Sequence, residues 1–81
     1  MSKQIANLGI VVRDFSKISE VNALLHQYSD DIISRSGMPY KDRGVRLISV
    51  ILDSNIQKIS DLSSKLSALE GISSQIMTFD L

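Results

Sequence analysis

VRLISVILD, residues 45–53, is the run on which the fold turns. Ile48, Val50 and Leu52 alternate with Leu47, Ser49 and Ile51, so apolar side chains point both ways from the backbone. A strand of that kind lies inside a sheet, covered to some degree on each side. Residues 4–13, QIANLGIVVR, repeat the pattern: Ala6, Leu8, Ile10 and Val12 point one way, Ile5, Gly9 and Val11 the other. The chain therefore holds at least two inner strands.

Between them, Ile18, Val21, Leu24, Leu25, Tyr28 and Ile32 recur at spacings of three and four. This predicts an amphipathic helix, capped by Asp14 or Ser16 and stopped by a left-handed Gly37 just past Arg35. Beyond residue 53, Ser54-Asn55-Ile56-Gln57 has the form of a capping box with Ser54 at the cap. A second stripe, Ile56, Ile59, Leu62, Leu66 and Leu69, runs to a stop at Gly71. Ser60, Ser63, Ser64 and Ser67 flank it and read as a solvated face, though small enough to admit a close neighbour. Residues 72–81 alternate loosely as a closing strand.

Strand, helix, short segment, strand, helix, strand is the order of a split βαβ arrangement. The expected fold is α+β: a ferredoxin-like βαββαβ sandwich, residues 1–81 forming one domain, with two helices on one face of a four-stranded antiparallel sheet. The first and third strands take the centre. The segment holding Pro39, the one proline, belongs at an edge, where a missing N–H is harmless. In this layout Ile5, Val11, Leu47 and Ile51 lack cover from their own chain. A wide exposed apolar face is unusual on a monomer, so these four residues are candidates for a self-association surface in a homodimer or dimer of dimers.

Composition narrows the chemistry. Nine basic and nine acidic residues cancel, which weighs against a nucleic-acid binder working through bulk charge. There is no cysteine and one histidine, so no thiolate site exists and His26 cannot build a metal centre alone. No cofactor is implied. The apolar fraction of 43% and mean hydropathy of +0.09 fit a soluble domain without a membrane segment, and with no signal peptide the cytoplasm is the expected location. Nucleophile elbow, Walker loop, dinucleotide fingerprint and zinc-protease helix are all missing. Acylphosphatases share the architecture, but their phosphate-cradling glycines after the first strand are replaced here by Val11-Val12-Arg13-Asp14-Phe15. RNA-recognition modules share it too, yet the third strand has no aromatic residue on which a base could stack.

SGMPYKDRG, residues 36–44, is the most distinctive stretch. Arg35, Lys41, Arg43 and Arg46 cluster around it with Asp42 as the opposing charge. Arginines beside a turn can hold a carboxylate or phosphate; helix stop, edge protection and hairpin turn account for the same residues structurally. Candidate ligand- or partner-binding residues are Gly37, Pro39, Tyr40, Arg43, Gly44 and His26. His26 stands four residues before Asp30, the spacing of a helical pair.

Leu25-His26 with Tyr28, then Gly37-Met38-Pro39-Tyr40, Arg43-Gly44 and the strand Leu47 to Leu52 together resemble a small bacterial family, the regulators of the iron-only hydrogenase system. The resemblance spans essentially the whole chain. It implies a domain related to ACT domains and to the C-terminal domain of nickel-responsive repressors, in which sheet-mediated oligomers place ligand or metal sites between subunits. It further implies a non-enzymatic regulator whose partners are itself and a small-molecule effector or protein. Three departures bear on this. The single His and absent Cys argue against a nickel site, and opening directly on the first strand argues against operator binding. Asp14-Phe15-Ser16 replaces the Pro-Gly turn of amino-acid-binding ACT domains. An acylphosphatase-like phosphohydrolase and a purely structural assembly subunit are the competing readings.

Overall fold

The computed structural model describes residues 3–81. β1 (Gln4–Val12) leads through a 3₁₀ turn into α1 (Ile18–Gln27). A second 3₁₀ turn at Ser29–Asp31 precedes β2 (Ile32–Tyr40), and a third at Lys41–Arg43 joins it to β3 (Val45–Ser54). Then come α2 (Ile56–Ser67) and β4 (Ile72–Thr78). The sheet is antiparallel throughout, in the order β2-β3-β1-β4. This is the expected ferredoxin-like α+β arrangement, with the two double-faced apolar strands at its centre and the Pro39 strand at an edge.

The core lies between the sheet and the helices. Leu8, Ile10 and Val12 of β1 and Ile48, Val50 and Leu52 of β3 pack with Val21 and Leu25 of α1 and Leu62 and Leu66 of α2. Register explains why these residues are inside. Leu8 pairs with Val50 and Ile10 with Ile48, so even-numbered residues of both central strands share the helix side. Tyr28 packs against this cluster, and its hydroxyl accepts a 3.3 Å hydrogen bond from Lys65 Nζ.

Four local expectations fail in whole or in part, each for a physical reason. Helix α1 ends at Gln27, eight residues short of Arg35. Ser29-Asp30-Asp31 favours local turns over helix, and the chain then enters β2. Ile32 still reaches the core, but as a strand residue paired with Leu52, so the helical spacing was coincidental. Gly37 is accordingly no left-handed stop: it sits inside β2 opposite Ile48, and positive φ among the described residues belongs to Gly44 and Gly71. At α2 the cap is Asn55, whose side-chain oxygen accepts the Lys58 N–H at 2.9 Å. Ser54 is instead buried at the end of β3 and donates to Asp31 Oδ2 at 2.9 Å, while Gln57 bonds Asp61 rather than closing a capping box. Lastly, the serine flank of α2 is solvated only in part: Ser64 and Ser67 are exposed, but Ser63 is half-buried. Ser63 and Ser67 both contact Ser74 of β4, at 2.7 and 2.9 Å between hydroxyl oxygens.

Gly71 closes the other critical corner. Its φ is +80°, and a Cβ there would stand 2.6 Å from Asp14 Cβ, while its carbonyl accepts the Arg13 N–H at 2.8 Å. A left-handed non-glycine residue costs roughly 1–2 kcal/mol before any clash. Gly71→Ala is therefore expected to lower unfolding free energy by at least about 2 kcal/mol in urea titrations. Gly37→Ala, whose Cβ would make ordinary contacts at 3.5–3.6 Å, should stay within about 0.5 kcal/mol of the parent.

Candidate functional site

Because both helices cover one side of the sheet, the other side is bare. Odd-numbered residues of β1 and β3 face it, and the β2 register Met38–Leu47 and Tyr40–Val45 adds two more side chains. All four candidate association residues lie on this face. Leu47 is 38% exposed, and Ile5, Val11 and Ile51 are half-buried by their lateral neighbours. Met38, Tyr40, Met77 and Phe79 belong to the same surface and are exposed as well. Met38 and Tyr40 escape the sequence reading because the first helix is expected to run to Gly37, which leaves the face of the Pro39 segment unassigned. With its true extent, the period-two alternation alone would have placed Met38 and Tyr40 there. Near the middle, Ser49 Oγ donates to Asn7 Oδ1 at 2.9 Å.

The candidate binding residues do not converge on one place. Tyr40, Arg43 and Gly44 line a groove of about 590 Å³ on the bare face together with Val11, Leu47, Val45 and Arg13. This joins part of the distinctive stretch to two of the association residues. Gly37 instead lines a separate depression on the helix side with Asn22, Arg35 and Arg46, where Arg35 donates to the Asn22 side-chain oxygen. Pro39 lies on the outer strand, paired with Arg46. His26 lies elsewhere, at the end of α1 beside Ser29 and Arg35. Its helical partnership with Asp30 does not exist, since the helix ends before Asp30 is reached. No group of three or more metal-ligating side chains occurs among the described residues.

The groove owes its shape to two chain corners. At the β2–β3 turn, Gly44 adopts φ +64° and donates its N–H to the Lys41 carbonyl at 3.1 Å, and Arg43 beside it is exposed. At the end of β1, Arg13 Nη1 donates to Ser73 Oγ at 3.1 Å, fixing the guanidinium against β4. The ion pairs among the described residues are Lys17–Glu20 and Lys58–Asp31. Arg13 and Arg43 thus have no carboxylate partner there. The next turn offers no phosphate cradle: the Ser16 N–H and hydroxyl both donate to Asp14 Oδ1, at 3.0 and 2.6 Å. At the far end of the bare face, Asp53 and Asp80 lie with Lys3, Ile5 and Phe79. The face is therefore positive at one end and mainly negative at the other.

The arrangement defines a small ferredoxin-like α+β domain with one unshielded sheet face. Its sequence matches the TM1266-like family, described as "Iron-only hydrogenase system regulator, putative", over residues 4–76, and the chain belongs to that family. It is similar to a solved structure, the uncharacterized protein TM1266 from Thermotoga maritima, with a TM-score of 0.91 and 30% identity, covering 98% of this chain and 100% of that one. The C-terminal domain of the MgtC protein from Mycobacterium tuberculosis shares the fold at a TM-score of 0.74 and 17% identity, covering 96% of this chain and 89% of that one. No curated protein matches. No helix among the described residues is long and apolar enough to cross a membrane.

The Asp14 contacts have a measurable consequence. Hydrogen bonds from the Ser16 side chain and backbone, helped by nearby Lys17, hold the carboxyl below its ordinary value of 3.8. A lowered folded pKa means stability that is complete above the unfolded value and lost as pH falls through the folded one. Asn at this position can still accept the Ser16 N–H. The parent is thus expected to exceed Asp14→Asn in urea midpoint near pH 5, with the difference shrinking as pH drops toward about 3.

Proposed function

We propose that this protein is a non-enzymatic regulatory domain that works as an oligomer, a homodimer or a dimer of dimers, with the bare sheet face as its primary subunit contact. The observation that carries the reading is that face: Leu47, Met38 and Met77 are exposed on a side that no element among the described residues covers. A chain of 81 residues buries roughly 60–65% of its unfolded surface, and without disulfides or a metal cluster among the described residues, association is the remaining way to bury more.

The charge pattern supports a second copy as the occupant. Two sheets stacked about a two-fold axis lying between them and perpendicular to the strands run antiparallel. The Arg13–Arg43 end of each then lies over the Asp53–Asp80 end of the other, an isologous contact that satisfies both. A small ligand or protein partner acting at this contact would bias one quaternary arrangement through its differential affinity for the two states. Membership in a family of hydrogenase-system regulators supports a regulatory role.

Light scattering over a dilution series tests this. At tens of micromolar the expected mass is a whole multiple, two or more, of 9.0 kDa, while Leu47→Lys, at a site already 38% exposed, should give 9.0 kDa with an unchanged circular-dichroism spectrum. A parent chain that is monomeric at every concentration overturns the proposal.

A further inference from the structure

The groove at the positive end of the bare face joins apolar side chains to cations that have no ion-pair partner within the described residues of a single chain. It is lined by apolar Val11, Val45 and Leu47 together with Arg13, Arg43 and Tyr40. No carboxylate lines it, and neither arginine has an ion-pair partner among the described residues. Asp42, next to Arg43 in sequence, forms no ion pair with it. Arg13 is already oriented by Ser73, so it loses less freedom when a ligand arrives. The groove is open and holds about 590 Å³. Beyond Arg13 the surface continues past Gly9, where a Cβ would meet nothing within 4 Å. That leaves room for a ligand body to extend along the sheet.

We propose that this groove binds a small organic anion, a carboxylate or phosphate ester, whose charged group is held by Arg13 and Arg43 and whose apolar body lies on Val11 and Leu47. Guanidinium forks match both anions bidentately, and Tyr40 supplies a further donor. The site stands on the single chain; its regulatory meaning rests on the interface reading above. The same two guanidiniums would face the acidic end of a second copy, so anion and partner compete for them, and the anion favours the uncovered face.

The test is calorimetric titration of the full chain with four probes: phenyl phosphate, benzoate, inorganic phosphate and benzyl alcohol. Methyl NMR locates the binding, and sedimentation is recorded on the same samples. The expected result is saturable binding of phenyl phosphate or benzoate, at least tenfold tighter than inorganic phosphate and benzyl alcohol, with shifts at the Val11 and Leu47 methyls. The stronger of the two anions identifies the head group. Arg43→Gln, on an exposed turn, should weaken that binding at least fivefold, and raising salt in the parent should weaken it in parallel. Inorganic phosphate binding as well as phenyl phosphate would mean an adventitious ion only and overturns the site, as does Arg43→Gln binding unchanged or silence from all four probes. A stable dimer that ignores the probes removes the site and leaves the interface reading; a monomer that binds them does the reverse.

Discussion

Packing of both helices on a single face of one four-stranded sheet is the constraint from which the rest of this molecule follows. It places the even-numbered residues of β1 and β3 in a closed core with Val21, Leu25, Leu62 and Leu66. It also leaves the odd-numbered residues of the same strands without cover. The two sets are tied by period-two geometry, so a one-residue slip in the nine-position register between β1 and β3 would exchange them. The apolar side chains on the bare side are therefore not a by-product of edge fraying. Ile5, Val11, Leu47 and Ile51 sit on the two central strands, and Met38, Tyr40 and Met77 extend the surface onto the edge strands.

How much of this can be read from residues alone depends on whether the local signal is unique. β1, β3 and α2 are legible because double-sided alternation and a five-member apolar stripe admit few other interpretations. The α1–β2 boundary is not. Tyr28 and Ile32 continue a helical spacing, yet the core accepts Ile32 equally well from a strand, and only its pairing with Leu52 settles which. That error displaced Gly37 from strand to helix stop and hid Met38 and Tyr40 from the face to which they belong. At α2, Ser54 and Asn55 are both competent caps; Asp31, brought in from a distant turn, claims the serine hydroxyl and leaves the cap to Asn55.

The candidate site shows the same limit at longer range. Sequence proximity grouped Gly37, Pro39, Tyr40, Arg43 and Gly44, but alternation sends Gly37 to the helix side and Tyr40 to the bare side. Arg13 enters the groove from another strand, oriented by Ser73 of β4, sixty positions away along the chain. No local motif announces such a juxtaposition. It arises because β1 ends beside the β2–β3 turn, gathering cations from two segments at one end of the sheet while Asp53 and Asp80 collect at the other.

Family membership and fold likeness carry different weight here. The match over residues 4–76 and the 30% identity to the Thermotoga maritima protein tie this chain to the TM1266-like family, whereas the mycobacterial domain at 17% identity shares the architecture alone. The central claim, that a second copy covers the bare face, is tested most directly by isotope-filtered NMR on a mixture of labelled and unlabelled chains. The account predicts cross-peaks between the Leu47, Ile51 and Met77 methyls of one copy and protons of the other. Methyls at these positions that contact solvent alone, at concentrations where the chain is associated, would contradict it.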